Sequence, residues 1–283
     1  MVKWRSGRRS TNVEDRRGRR APTRMGAPIK LTGGMGILVV LAVLLLGGDP
    51  LALLDAGGPA PIETSSPAGP VGEDDDAQFI SVILASTEDV WGEIFRAAGL
   101  DYREPRLVLF TDAVESACGY NSSATGPFYC PPDEQIYIDL GFFRELARMG
   151  GPGDFARAYV LGHEVGHHIQ NLTGINEDVR RRQQAAGSQA DANALQVRME
   201  LQADCLAGVW AHHANRMRDI LEPGDVEEGL AAAEAIGDDR LMRSAGRRVS
   251  PESFTHGTSA QRRDWLARGL REGDPDGCDT FAQ

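Results

Sequence analysis

The stretch "AYVLGHEVGHHIQNLTG", from Ala158 to Gly174, constrains the fold more than any other part of the chain. It carries His163, His167 and His168, three of the chain's six histidines. His163 and His167 are four apart, so on an α-helix they project from one face about one turn apart. Two imidazoles so placed can bind one metal ion, and Glu164 can lean towards the same metal edge. H-E-x-x-H on a helix is the arrangement of zinc hydrolases, with two ligands and a carboxylate that activates water. The alternative is a chance match, with histidines on the polar face of an ordinary helix.

Charge divides the 283-residue chain unevenly. Residues 1–30 hold ten Lys/Arg against Glu14 and Asp15; residues 31–48 hold no charge; the remainder holds 20 arginines against 39 carboxylates. The uncharged run of 18 residues, with the core "MGILVVLAVLLLGG", is just long enough to span a bilayer as a helix. Its basic flank comes first, so the positive-inside rule places the N-terminus in the cytoplasm and the C-terminal part in the periplasm or outside the cell. A cleaved signal peptide is the rival. The long basic region, and the lack of a clear A-x-A site after the apolar run, favour an uncleaved anchor. Residues 49–77 are rich in Pro, Gly, Ser and Asp and read as a flexible linker. The expected organisation is a basic cytoplasmic segment over 1–30, a transmembrane anchor over 31–48, the linker over 49–77, and a folded domain over 78–283. Arginines of the exported part are interspersed with acids, which leaves no nucleic-acid footprint.

All four cysteines, Cys118, Cys130, Cys205 and Cys278, fall in the part expected to be exported. An even number in an oxidising compartment suggests disulfides, with three connectivities open. Cys118 and Cys130 bracket "GYNSSATGPFY", a loop with turn residues and little to pack, which a local bridge would fix. That leaves Cys205 and Cys278 to pair or stay free.

Periodicity predicts a mostly helical α+β domain with a small sheet. "FISVILASTEDVWGEIFRAAGL" has helical spacing and Gly99 suits its stop. "RLVLF" is a short β-like run, and "QIYIDL" (Gln135 to Leu140) alternates as a half-buried strand does. "FFRELARM" is a helix ended by "GGPG". Asp154 is a candidate cap for the helix through His163, which runs to about Leu172 with Gly174 as its stop. One long helical stretch is expected from about Glu177 to Arg216, then a helix with Pro223 at its start, then "TSAQRRDWLARGL".

A catalytic zinc takes three protein ligands and one open position, so a third ligand must come from elsewhere. "MELQADCLAG" offers Glu200 and Asp204, four apart on a helix whose neighbours (Leu201, Ala203, Leu206, Val209, Trp210) mark it as largely buried. A carboxylate there needs a partner. Glu200 can complete a His₂Glu site, and Asp204 can accept the other N–H of a ligand histidine and fix its ring. The alternative is a solvated pair of acids.

H-E-x-x-H followed by a helix with E-x-x-x-D is similar to the gluzincin pattern of zinc peptidases. The closer resemblance is to the bacterial putative neutral zinc metallopeptidase family, carried by the basic start and apolar run together with "SACGYNSSATGPFYCPPDEQIYIDL", "YVLGHEVGHHIQNLTG", "MELQADCLAGVWA" and "SFTHGTSAQRRDW", in that order. It implies a zincin-like fold, a Zn²⁺ ion and a peptidase activity. "FTHGTSAQR" also resembles the His-Pro-x-x-x-x-Arg stretch of membrane-bound heat-shock and prenyl-protein zinc peptidases, with Gly257 in place of the proline. By that resemblance His256 stabilises the oxyanion and Arg262 orients it or holds substrate. The bland alternative is a His and an Arg near the start of a terminal helix.

Other histidines take ordinary roles: His168 packed or solvated, His212 and His213 near a helix end, where cations suit the dipole. Asn121 and Asn171 head short glycosylation sequons, which are weak signals. The expected protein is a single-pass membrane-anchored zinc peptidase acting on a peptide or protein outside the cytoplasm. His163, His167 and Glu200 are its metal ligands, Glu164 its base, and "QIYIDL" the edge against which an extended substrate lies. The rivals are a zinc hydrolase of a non-peptide substrate and an inactive zinc-binding envelope scaffold.

Overall fold

A computed structural model of the chain describes residues 1–18 and 74–282. They form an α+β fold, mostly helical, with two small sheets. In chain order the elements are β1 (Val13–Asp15), α1 (Asp75–Ala97), β2 (Arg106–Phe110), β3 (Ala113–Ser116), β4 (Gly119–Ser122), β5 (Phe128–Cys130), β6 (Gln135–Asp139), α2 (Gly141–Met149), α3 (Asp154–Leu172), α4 (Ile175–Gln184), α5 (Gln189–Arg218), α6 (Asp225–Ala235), α7 (Asp238–Ser244) and α8 (Ser259–Glu272).

The main sheet runs β1-β2-β6-β5. β1 and β6 are parallel to β2, and β5 returns antiparallel to β6, with Tyr129 opposite Ile136. Side chains alternate across it with period two. Leu107, Leu109, Ile136 and Ile138 enter the large core under the helices, while Val108, Phe110 and Tyr137 form a smaller core with Val114 and Cys130. The segment Gln135–Asp139, expected to be half-buried, is therefore covered on both faces. The β3–β4 hairpin builds a second sheet in a stretch expected to be a loose loop. Cys118 is joined to Cys130, and Cys205 to Cys278, so no free thiol remains among the described residues.

The helix α3 is buried on nearly every side. It begins at Asp154, but Gly153 occupies the capping position, and the Asp154 carboxylate pairs with Arg157 instead. The long helix expected from Glu177 is broken into α4 and α5, because Ser188 turns the chain and caps α5 by accepting from the backbone N–H of Asp191. Gly162 and Gly166 let α3 approach α5 closely: a Cβ at Gly166 would lie 2.9 Å from the Ala203 carbonyl oxygen, and one at Gly162 would lie 2.9 Å from the Trp210 ring. This contact carries the chemistry of both helices to one place.

Two expectations are corrected. The fold was expected to be preceded by one transmembrane helix over 31–48. Those residues, like residues 49–73 of the expected 49–77 linker, lie outside the described ones, and among the described residues no helix is long and apolar enough to cross a membrane. The single-pass placement, with a cytoplasmic N-terminus and the domain on the far side, fails on the packing of residues 1–18. They belong to the same compact unit as the domain. β1 is hydrogen-bonded in register with β2, Val13 opposite Leu107. Arg8 pairs with Glu88 and Asp89 of α1, and Arg17 with Asp15 and Asp74. A strand paired in the domain's own sheet cannot lie across a bilayer from it. Among the described basic residues that read as a cytoplasmic flank, Lys3, Arg5, Arg8 and Arg17 each pair with an acid of the domain. The first helix starts at Asp75, just before the boundary expected at 78.

Candidate metal centre

Helix α3 presents His163 and His167, and α5 presents Glu200 across the close contact made by Gly162 and Gly166. One ligand atom from each of the three lies within 4.8 Å of the others, a grouping that could hold a metal ion. Glu200 Oε2 is 3.1 Å from His163 Nε2 and 3.6 Å from His167 Nε2. Both rings turn Nε2 to this point, because their Nδ1 atoms are engaged elsewhere. Nδ1 of His163 donates to Asp204 Oδ1 at 2.8 Å, and Nδ1 of His167 to Gln170 Oε1 at 2.9 Å. The other oxygen of Glu200 accepts from Gln196 at 2.9 Å. Two imidazole nitrogens and one carboxylate oxygen, each aimed by a partner behind it, are a donor set that fits zinc.

Asp204 is fully buried and anchors the back of the site. Its Oδ1 accepts from His163, from the Tyr159 hydroxyl at 2.6 Å and from Arg262 Nη2 at 2.9 Å; its Oδ2 accepts from Arg262 Nε at 2.9 Å. Burial opposes the charge on Asp204, but Arg262 and His163 outweigh it and hold the carboxyl below its ordinary range. Arg262 is only 2% exposed. Its guanidinium clamps Asp204 and also reaches Tyr159 at 3.2 Å and the Ile236 carbonyl at 3.4 Å. The sequence places Arg262 near the site, but not behind Asp204.

Glu164 lies one residue past His163, is 6% exposed, and lines the same cleft as the three candidate ligands. Burial pushes its carboxyl up from the ordinary range, which brings a base closer to neutral working conditions. His256 lines the cleft from the loop before α8 and is half-exposed. Asp238 sets that loop. Its Oδ2 accepts the backbone N–H groups of Thr255, His256 and Gly257 at 2.7, 2.6 and 3.1 Å, and its Oδ1 faces His256 Nδ1 at 3.2 Å. Gly257 has φ +94° and donates its N–H to Asp238. Proline can do neither, which explains glycine where the similar peptidases carry proline.

The cleft has a volume of about 600 Å³. One wall is apolar, built by Phe142 and Met149 of α2, Val160, Ile236 and Leu241. The segment 123–129, which leads into β5, also lines the cleft. The strand "QIYIDL", expected at the edge, is instead central between β2 and β5, and β5 is the edge strand at this end of the sheet. His168 turns away from the cleft. It is buried, with Nδ1 3.0 Å from the Tyr129 hydroxyl and Nε2 donating to the Arg103 carbonyl at 2.6 Å. His212 and His213 reach the carbonyls of Leu270 and Gly273, at the end of α8. Tyr159 and Gln170 lie in the histidine-bearing stretch but carry geometry that its spacing does not announce, and Asp238 lies in none of the quoted motifs.

Proton competition at this centre gives a first expected result. Burial disfavours charge on His163, but the Asp204 carboxylate beside it outweighs that, and its pKa is pushed up to about 10. In the metal-free chain His163 therefore holds its proton at neutral pH, and a metal ion has to displace it. Zinc affinity should rise with pH, by about tenfold per unit between pH 6.5 and 8.5 for one proton released. Competition against a chelator at three pH values measures this; a pH-independent affinity would contradict it.

The comparisons with known proteins agree with this geometry. The model of the family described as putative neutral zinc metallopeptidase matches residues 2–281. In Escherichia coli (strain K12), "Uncharacterized protein YpfJ" is 48% identical over 287 aligned positions, covering 100% of this chain and 99% of the relative. "Uncharacterized protein Rv2575" of Mycobacterium tuberculosis (strain ATCC 25618 / H37Rv) and "Uncharacterized protein Mb2605" of Mycobacterium bovis (strain ATCC BAA-935 / AF2122/97) are each 39% identical over 258 positions, covering 84% of this chain and 85% of the relative. No solved structure matches. The family match takes in β1 as well as the H-E-x-x-H helix, in keeping with one folded unit: this chain belongs to the putative neutral zinc metallopeptidase family.

Proposed function

We propose that the chain is a zinc-dependent peptidase whose metal is held by His163, His167 and Glu200. The observation that carries the proposal is the convergence of these three donors beside a buried carboxylate, Glu164, in one open cleft. Zinc held there would supply Lewis acidity, for acidifying a water and polarising a carbonyl. Glu164 accepts the proton of the attacking water and delivers it to the leaving amine. His256, aimed by Asp238, donates to the oxygen on which charge develops. Arg262 acts at one remove, by holding Asp204 against His163.

The substrate would lie as an extended peptide along β5, which ends the sheet among the described residues and whose Phe128 and Tyr129 line the cleft. The apolar wall of Phe142, Met149, Val160, Ile236 and Leu241 favours a large apolar side chain next to the bond that is cut. Glu164 speaks against an inactive scaffold, because a purely structural zinc site has no use for a base.

The test is a peptide library treated with the zinc-loaded full-length chain, with products read by mass spectrometry. Cleavage should be enriched beside Leu, Phe and Met and abolished by a chelator. Hydrolysis of ester or amide metabolites without any peptide cleavage would favour a non-peptide hydrolase. A zinc-loaded chain that turns over neither class would favour the scaffold.

A further inference from the structure

His163 and His167 are oriented by different means. Behind His163 stands a carboxylate, clamped by an arginine. Behind His167 stands a neutral amide, Gln170, one turn on along α3 and fully buried. An amide can present either oxygen or nitrogen to a ring, so what fixes its direction decides which tautomer of His167 it supports. Two backbone carbonyls decide it here. The Met199 carbonyl, which can only accept, lies 2.8 Å from one end of the Gln170 amide, so that end is Nε2. Nε2 donates also to Gln202 Oε1 at 3.0 Å. Gln202 is fixed in turn, because its own Nε2 donates to the carbonyl of Cys278 at 3.2 Å. Oε1 of Gln170 therefore faces His167, whose Nδ1 must carry the proton. Nε2 of His167 is left with its lone pair on the side of Glu200.

We propose that Gln170 is the positioning residue of His167: it holds the ring as the Nδ1–H tautomer, and Gln202 with the Cys278 carbonyl locks the amide in that direction. The far end of this relay is the turn at Pro275–Cys278, which the Cys205–Cys278 disulfide ties to α5. The C-terminal turn thus belongs to the support of the metal centre, although it touches no candidate ligand. The assignment rests on the zinc reading of the site above.

The experiment uses the full-length chain and two readouts, zinc affinity by chelator competition and solvent exchange of the His167 Nδ1–H by NMR of the zinc-loaded protein. Gln170→Leu removes both ends of the amide. It should lower zinc affinity by about 10–100-fold, the usual cost of losing a hydrogen-bond partner of a metal-bound histidine, and speed exchange of the Nδ1–H. Gln170→Glu keeps an acceptor and should restore slow exchange. If Gln170→Leu does not fold, Gln202→Leu decides, because it leaves Gln170 in place but removes one of the two acceptors that hold its amide, the Met199 carbonyl being the other, and the same two readouts should move in the same direction by a smaller amount. Unchanged affinity and exchange in a folded Gln170→Leu, or in Gln202→Leu where only that variant folds, would overturn the assignment and leave the zinc reading standing. A parent chain that binds no zinc would overturn the zinc reading itself, and the assignment with it.

Discussion

Glu164→Gln should take up zinc as the parent does, melt at nearly the same temperature, and lose almost all turnover. The substitution keeps size and shape, and Glu164 is not one of the three converging donors. What it removes is a base. Burial pushes the Glu164 carboxyl up from its ordinary range, against the pull of His163, His167 and Arg262, so it is better placed to accept a proton near neutral pH than an exposed carboxylate would be. Loss of a positioned general base costs about 10²–10⁴-fold in rate. Side-by-side cleavage of one peptide by zinc-replete parent and variant measures the difference. Comparable rates would remove Glu164 from the mechanism, and equal loss of zinc and activity would make it a ligand instead.

Arg262→Met should be the most damaging single change at the back of the site. Arg262 and Asp204 are both buried, and Asp204 Oδ2 has the Arg262 Nε as its partner. Methionine fills the space of the stem but leaves a buried carboxylate short of two donors. Removing one member of a buried pair costs about 3–5 kcal/mol, because the remaining charge is stranded. Arg262→Lys should not rescue it, since one ammonium cannot reproduce the fork that grips both oxygens. Denaturation of the metal-free proteins reads the stability, and chelator competition reads the weakened hold on His163. A variant as stable as the parent, but with a lower kcat, would return Arg262 to the role at the substrate that the resemblance implies.

Much of the candidate site was legible because it is local. His163, Glu164 and His167 share one helix, and helical geometry puts the two histidines on one face whatever surrounds them. Glu200 and Asp204 stood out for a related reason: two acids one turn apart on an otherwise apolar helix need partners. The close approach of α3 and α5, through Gly162 and Gly166, then supplies those partners, and no spacing in the chain states that these two helices meet.

Residues 1–18 show the opposite case. Ten basic residues before an uncharged run carry a strong local pattern for a membrane flank. The three-residue strand Val13–Asp15 carries almost none, because two of its residues are acids and its hydrogen bonds are made to β2, more than ninety positions away in the chain. Composition registers charge but not where the opposite charges will lie, and Arg8 and Arg17 find theirs on and beside α1. The same holds for Arg262 and Gln170. Their identities are plain in the sequence, but their roles depend on which buried acceptors the fold sets beside them. The sequence by itself determined the helix that bears the two histidines, the carboxylate next to the first, and the pair of acids that answers them. The tertiary structure alone decided which side of the sheet the N-terminus joins, what holds each ring, and which strand forms the edge of the cleft, because each of these is a contact between segments with no local periodicity in common.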